Sequence, residues 1–212
     1  MKFTKMHGAG NDYVYVDARS QEQDWPELAR RMSDRHFGVG SDGLILIKGS
    51  DVADLRMSMF NADGSEAEMC GNGIRCFVKY AVDRSIVSGS NGSVSVETLA
   101  GIRNIIPISE DGTVTGARVS MGPPILTPDE VPVKLDSAGE YGSGPVLEYP
   151  FEMDGYDLPL SFVSMGNPHA VTFIDTSVAE FPLLTVGPKV ETHPIFPRRV
   201  NFEIVNVDNP TH

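Results

Sequence analysis

Phe60-Asn61-Ala62-Asp63-Gly64-Ser65-Glu66-Ala67-Glu68-Met69-Cys70-Gly71-Asn72-Gly73-Ile74-Arg75-Cys76 joins a strand-like run to a helix, and its reading decides the fold. Before it, Leu55 to Phe60 alternates apolar with polar residues, the pattern of a half-buried strand. Asn61 to Ser65 is rich in turn formers. Beyond it, Ile74, Phe77, Val78, Ala81 and Val82 recur at helical spacing, which predicts a helix from about Gly71 to Val82. Cys70 then stands at the helix entrance, where the dipole and unpaired backbone N–H groups favour thiolate over thiol. Gly71 and Gly73 are small enough for a ligand to reach those N–H groups, which suit a carboxylate. One helix end can thus hold an amino acid and touch its α-carbon. The same residues also fit a blander reading, with Cys70 as a small buried hydrophobe and Gly71-Asn72-Gly73 as an ordinary turn. Cys76 falls inside the helix, away from the free N–H groups of the first turn.

Outward from this stretch, strands are expected over Tyr13 to Val16, preceded by a Gly-Asn-Asp turn, and over Leu44 to Ile47. A helix is expected over Trp25 to Met32, so that a βα unit opens the chain. Further strands are read at Ser93 to Thr98, Arg103 to Ile108, Ala117 to Met121, Leu160 to Ser164, Ala170 to Ile174 and Asn201 to Val207. Asp136 to Pro145 reads as a surface loop, and Asp208-Asn209-Pro210 as a turn. Gly122-Pro123-Pro124 breaks the pattern and sets a boundary near residue 120, between an N-terminal lobe over 1–120 and a C-terminal lobe over 121–212.

The halves echo each other. Gly10-Asn11 precedes an apolar run ending at Asp17, and Gly166-Asn167 a similar run ending at Asp175. His36 precedes the Leu44 strand by about the distance at which His193 precedes the Phe202 strand. Shifting Cys70 by the offset from Asn11 to Asn167 lands at roughly residue 226, beyond His212.

The 212 residues suffice for one large or two small cores, and 41% hydrophobic with 22% charged residues is the balance of a globular protein. A net charge of -12 opposes binding to nucleic acid or to an anionic membrane surface. The longest aliphatic run, Leu44 to Ile47, is far short of the about 20 residues of a transmembrane helix. No apolar signal core follows Lys2 and Lys5, so the expected location is cytoplasmic. Cys70 and Cys76 on one helix lie about 9 Å apart, too far for a disulfide, and are expected to be reduced thiols.

Three blocks in order, Lys5-Met6-His7-Gly8-Ala9-Gly10-Asn11-Asp12, Asn61 to Cys76, and Gly166-Asn167-Pro168-His169-Ala170, resemble the signature blocks of the diaminopimelate epimerases. The resemblance runs over essentially the whole chain. It implies an α+β fold of two similar lobes, each a mixed, largely antiparallel sheet curled around a central helix, with the second lobe incomplete here. It implies an isomerase without pyridoxal phosphate, other cofactor or metal, which interconverts LL- and meso-diaminopimelate in lysine and peptidoglycan precursor synthesis, as a homodimer. In that family one cysteine per lobe faces the substrate α-carbon, one as thiolate base and the other as thiol acid. Inversion needs this, because a proton removed from one face must be replaced from the other. Cys70 matches the first of the pair. The resemblance further implies that Gly71 and Asn72 hold the carboxylate, that Asn11, Asn61, Asn167 and Asn201 contact the substrate's polar ends, and that His169 tunes the thiols. The family's Glu-Arg pair and Ala-Cys-Gly-Thr-Gly segment are absent, so this chain alone is expected to be inactive.

Three alternatives stand beside this reading. A related cofactor-independent proline or hydroxyproline racemase shares the Cys-Gly helix start. A cysteine hydrolase would use Cys70 as nucleophile with His169 and Asn167 as base and orienter. A non-catalytic fragment would only bind substrate.

Overall fold

Leu44-Ile45-Leu46-Ile47 can be apolar at every position only if the strand that contains it is covered on both faces. The computed structural model, which describes residues 1–88, 92–135, 141, 144–207 and 209, shows that it is. Most of the expected loop over 136–145, and residues 208 and 210 of the expected turn, lie outside the described residues. Contacts group the chain into two units, Met1–Met121 and Gly122–His212.

In the first unit an eight-stranded mixed sheet is built from β1 (Thr4–Gly8), β2 (Asn11–Asp17), β3 (Gly43–Lys48), β4 (Leu55–Asn61), β5 (Glu66–Ala67), β6 (Val94–Thr98), β7 (Gly101–Glu110) and β8 (Thr113–Val119). The strand order is β1-β2-β3-β4-β6-β7-β8, with β5 paired to β4. The parallel pairs β2/β3 and β4/β6 each need a long crossover. Helix α1 (Trp25–Ser33) lies in the first crossover and α2 (Gly71–Asp83) in the second. Helix α2 touches β1 and β8, the two edge strands, together with β2, β3 and β7, so the sheet curls around it.

The two helices divide the strand residues by parity. Tyr13, Tyr15, Ile45, Ile47, Met57 and Met59 pack with Ile74, Phe77 and Val78 of α2. Val14, Val16, Leu44, Leu46 and Phe60 pack with Trp25, Ala29 and Met32 of α1. The expectation of a half-buried β4 is corrected here: Ser58 and Phe60, on the face read as exposed, are both buried, because α1 covers it. The chain also opens with a β-hairpin rather than a βα unit. Asn11 and Asp12 belong to β2, and the turn is Ala9-Gly10, both at positive φ (52° and 90°) as a two-residue hairpin turn demands. The β7–β8 hairpin turns the same way at Asp111-Gly112, which starts β8 at Thr113 rather than Ala117.

The second unit has a small hairpin, β9 (Glu152–Met153) with β10 (Tyr156–Asp157), and a three-stranded sheet. In that sheet β11 (Leu160–Ser164) pairs antiparallel with β12 (Pro168–Phe173), which pairs parallel with β13 (Asn201–Val205). Helix α3 (Leu183–Glu191) fills the crossover and puts Val186 and Val190 in a core with Phe151, Leu160, Phe162, Ala170 and Phe196. This helix was not expected, since Gly187-Pro188 in its middle reads as a breaker.

Candidate active site

Cys70 is the N-cap of α2, extended at φ -131° and ψ 118°, with Sγ accepting the Gly73 N–H at 3.3 Å. Ile74 N–H goes to the Cys70 carbonyl at 2.8 Å. The N–H groups of Gly71 and Asn72 have no hydrogen-bond partner among the described residues. Two backbone donors at the positive end of a helix are therefore available beside a thiol. Gly73 is needed for packing as much as for access, since a Cβ there would meet Ile45 Cδ1 at 2.6 Å. Cys70 is half-buried and Cys76 buried, both as free thiols. Burial pushes the Cys76 thiol up, which keeps it neutral at ordinary pH.

A directed chain of hydrogen bonds fixes the asparagines around this end. Arg75 Nη2 donates to Asn72 Oδ1 (2.6 Å), Asn72 Nδ2 to Asn11 Oδ1 (2.6 Å), and Asn11 Nδ2 to Asp42 Oδ2 (3.1 Å). Because an arginine can only donate and a carboxylate only accept, both amide orientations follow. Each amide keeps one N–H and one lone pair for a ligand. The chain is anchored by Arg35, which bridges Asp12 (2.8 Å) and Asp42 (2.9 Å), and by Lys5 on Asp12 (2.9 Å). These two cations hold the Asp12 carboxyl well below the usual carboxylate range, the Arg35 hydrogen bond contributing most. Tyr13 completes the site, with its hydroxyl 3.4 Å from Cys70 Sγ.

Asn61 stands at the end of β4, and its Nδ2 donates to Ser65 Oγ at 3.0 Å across the β4–β5 turn. Its observed bonds organise that turn. In the second unit His169, Asn167 and Asn201 gather at one end of the sheet. His169 Nδ1 bonds Glu203 Oε1 at 2.6 Å, and Nε2 lies 3.0 Å from Asn167 Oδ1. Asn201, the register partner of His169, donates from Nδ2 to the Pro168 carbonyl at 3.0 Å. Both ring nitrogens of His169 are occupied.

Sequence reasoning did not single out Tyr13, Asp42, Arg35, Arg75 or Glu203. The sequence marks Tyr13 only as part of the Tyr13 to Val16 strand, and nothing local in it marks the others. Asp42, just before β3, and Glu203, in the middle of β13, belong to strands that only the parallel pairings bring beside Asn11 and His169.

The model of the diaminopimelate epimerases matches residues 3–127. The diaminopimelate epimerase of Acetivibrio thermocellus is 49% identical over 212 residues, 100% of this chain and 72% of that protein. The chain belongs to the diaminopimelate epimerase family. The enzyme of the same name from Methanococcus maripaludis is 50% identical over 208 residues, covering 98% of this chain and 72% of its own. Among solved structures, a hydroxyproline epimerase from Agrobacterium vitis superposes with a TM-score of 0.57 at 13% identity, over 80% of this chain and 50% of that one. A probable proline racemase from Agrobacterium radiobacter gives 0.56 at 16%, over 80% and 51%. The chain thus spans about half the length of those two structures, which share its fold. Among the described residues no helix is long and apolar enough to cross a membrane, and no group of three or more His, Cys, Asp or Glu side chains could hold a metal ion.

Proposed function

We propose that this protein epimerises diaminopimelate by proton transfer at Cα, with Cys70 as one of two acid/base groups. The observation behind this is the helix start itself, a thiol at the N-cap beside the two unpartnered N–H groups of Gly71 and Asn72. A substrate carboxylate docked on those N–H groups brings its α-carbon beside Sγ. In one direction the Cys70 thiolate takes the Cα proton, so that an S–H bond forms as the C–H bond breaks. The electron pair delocalises into the carboxylate, which the helix end stabilises. A second group on the opposite face then supplies a proton, and the configuration inverts. Cys76 is unsuited to that task, being buried inside the same helix. The second thiol is therefore proposed to lie outside these 212 residues. No cofactor or metal is required by this chemistry.

Asn11 and Asn72, oriented by the Arg75-to-Asp42 chain, offer the remaining polar contacts in this unit, with Asn61 proposed as a third. Asn167 and Asn201 are proposed as substrate contacts of the second unit, with His169 held in orientation by Glu203. A homodimer is the proposed assembly, supported by the exposed row Ile102, Ile106 and Ile108 on the outer face of β7. The free thiols favour a reducing, cytoplasmic setting.

The test is incubation of the protein, at its relatives' length, with LL-diaminopimelate in deuterium oxide. Deuterium at Cα together with meso product is the expected result. Exchange on proline but not on diaminopimelate would move the reading to the racemases, and release of an acyl product would move it to a hydrolase.

A further inference from the structure

Tyr13 lies on β2 with its ring in the core beneath α2 and only 5% of its surface exposed. Its hydroxyl meets Cys70 Sγ at 3.4 Å, while the same sulfur receives the Gly73 N–H at 3.3 Å. A buried hydroxyl without a good acceptor is costly, and a neutral thiol is a poor acceptor. A thiolate is a strong one. The pairing of this phenol with this sulfur is therefore satisfied best when Cys70 is ionised.

We propose that Tyr13 is a positioning residue for the epimerisation: its phenolic O–H donates to Cys70 Sγ, stabilises the thiolate and fixes the direction from which sulfur faces the substrate α-carbon. This rests on the reading of Cys70 as the acid/base thiol. Tyr13 keeps its own proton throughout, since the proton exchanged passes only between Cα and sulfur. Burial holds the phenol far above its usual ionisation range, and its bond to Cys70 and the charges of Cys70, Asp42 and Asp12 push the same way. The phenol therefore keeps its proton to donate.

The groups around the pair are few. Tyr13 faces Cys70 from α2, Asp42 from the start of β3 and Asp12 from its own strand. The two carboxylates are bridged by Arg35, and Asp12 also by Lys5, so their pull on the site is largely neutralised. Tyr15 and Cys76 also act on the pair electrostatically, and Arg75 and Lys79 lie further along α2. Tyr15 supplies a natural contrast. Its hydroxyl donates to the Gly73 carbonyl at 3.0 Å and its sulfur neighbour is Cys76, so it touches the same helix turn without touching the Cys70 sulfur.

The experiment is alkylation of the 212-residue chain with iodoacetamide across pH, with modification at Cys70 read by peptide mass spectrometry. Tyr13→Phe is expected to raise the midpoint of Cys70 alkylation by about one pH unit, the scale of a hydrogen bond to a charged group. Replacing Tyr13 by 3,5-difluorotyrosine, nearly isosteric and a stronger donor, is expected to lower it. Tyr15→Phe should leave it unmoved. An unchanged midpoint in Tyr13→Phe, a shift upward with difluorotyrosine, or an equal shift in Tyr15→Phe would each overturn the proposal. Failure of the reading of Cys70 as the acid/base thiol would show separately, as full turnover in a Cys70→Ala enzyme.

Discussion

The segments β1-β2-α1-β3 and β11-β12-α3-β13 are the same motif built twice. Each opens with an antiparallel hairpin, crosses over through a helix and returns parallel to the hairpin's second strand. Asn11 and Asn167 each follow a glycine at positive φ, Gly10 at 90° and Gly166 at 110°. Two residues on, Tyr13 pairs with Gly43 and His169 with Asn201. A phenol in one copy thus takes the place of an imidazole in the other. What differs is the cover. Val14 and Val16 in the first copy, and Ala170 and Thr172 in the second, are all buried. On the opposite face Tyr15, Ile45 and Ile47 are sealed under α2, whereas Val171 and Val205 are half-buried and Phe173 is 57% exposed. Phe202, by contrast, pairs with Ala170 and points with it into the second core.

The largest effect expected from this difference concerns length. If a helix is seated on the outer face of the second sheet as α2 is on the first, a chain extended to its relatives' length should unfold at a markedly higher temperature. Covering about 200 Å² of apolar surface contributes about 5 kcal/mol. Differential scanning calorimetry of the two lengths checks this, and equal transitions would break the comparison. The extended chain should also turn over diaminopimelate, and the 212-residue chain should not.

Core truncation should separate the helices next. Phe77→Ala removes a fully buried ring from between α2 and its sheet and is expected to cost about 3–5 kcal/mol. Leu184→Ala on α3, 95% exposed, should cost less than about 0.5 kcal/mol. Urea denaturation of both variants reads the contrast.

Much of the first copy was legible because local signals agreed with the fold. Helix α1 has Asp24 as N-cap, bonded to the Glu27 N–H at 3.1 Å, then Pro26, and arginines in its last turn. Its counterpart α3 begins at Pro182 without a side-chain cap and contains Pro188, so nothing local announced it. Only tertiary packing of Val186 and Val190 reveals why it forms. The Cys70 helix start was legible from helical spacing and the glycines. The Arg75–Asn72–Asn11–Asp42 chain was not, because it joins residues that β2/β3 pairing and the fold of α2 bring together from distant places in sequence.

Acid should act on the first copy through Asp12. Its carboxyl is held ionised in the folded state by Arg35 and Lys5, so the unfolded chain takes up a proton more readily. That contribution to stability is present at neutral pH and is lost as pH falls below about 4. Asp12→Asn should flatten this part of the stability profile, measured by thermal unfolding between pH 3 and pH 7. At the helix caps, Asp24→Ala should cost about 1 kcal/mol through loss of the α1 cap, while Pro182→Asp should stabilise α3 by supplying one.

The central claim is that a thiol at the N-cap of α2 exchanges the substrate proton while a second thiol six residues on does not. Cys70→Ala and Cys76→Ala, each in the enzyme at its relatives' length, decide it through the rate of deuterium entry at Cα of diaminopimelate. The expected result is a loss of at least about 100-fold for Cys70→Ala, the scale of general acid–base catalysis, with most of the rate kept by Cys76→Ala. Equal losses in the two variants, or a Cys70→Ala enzyme that exchanges at the wild-type rate, would contradict it.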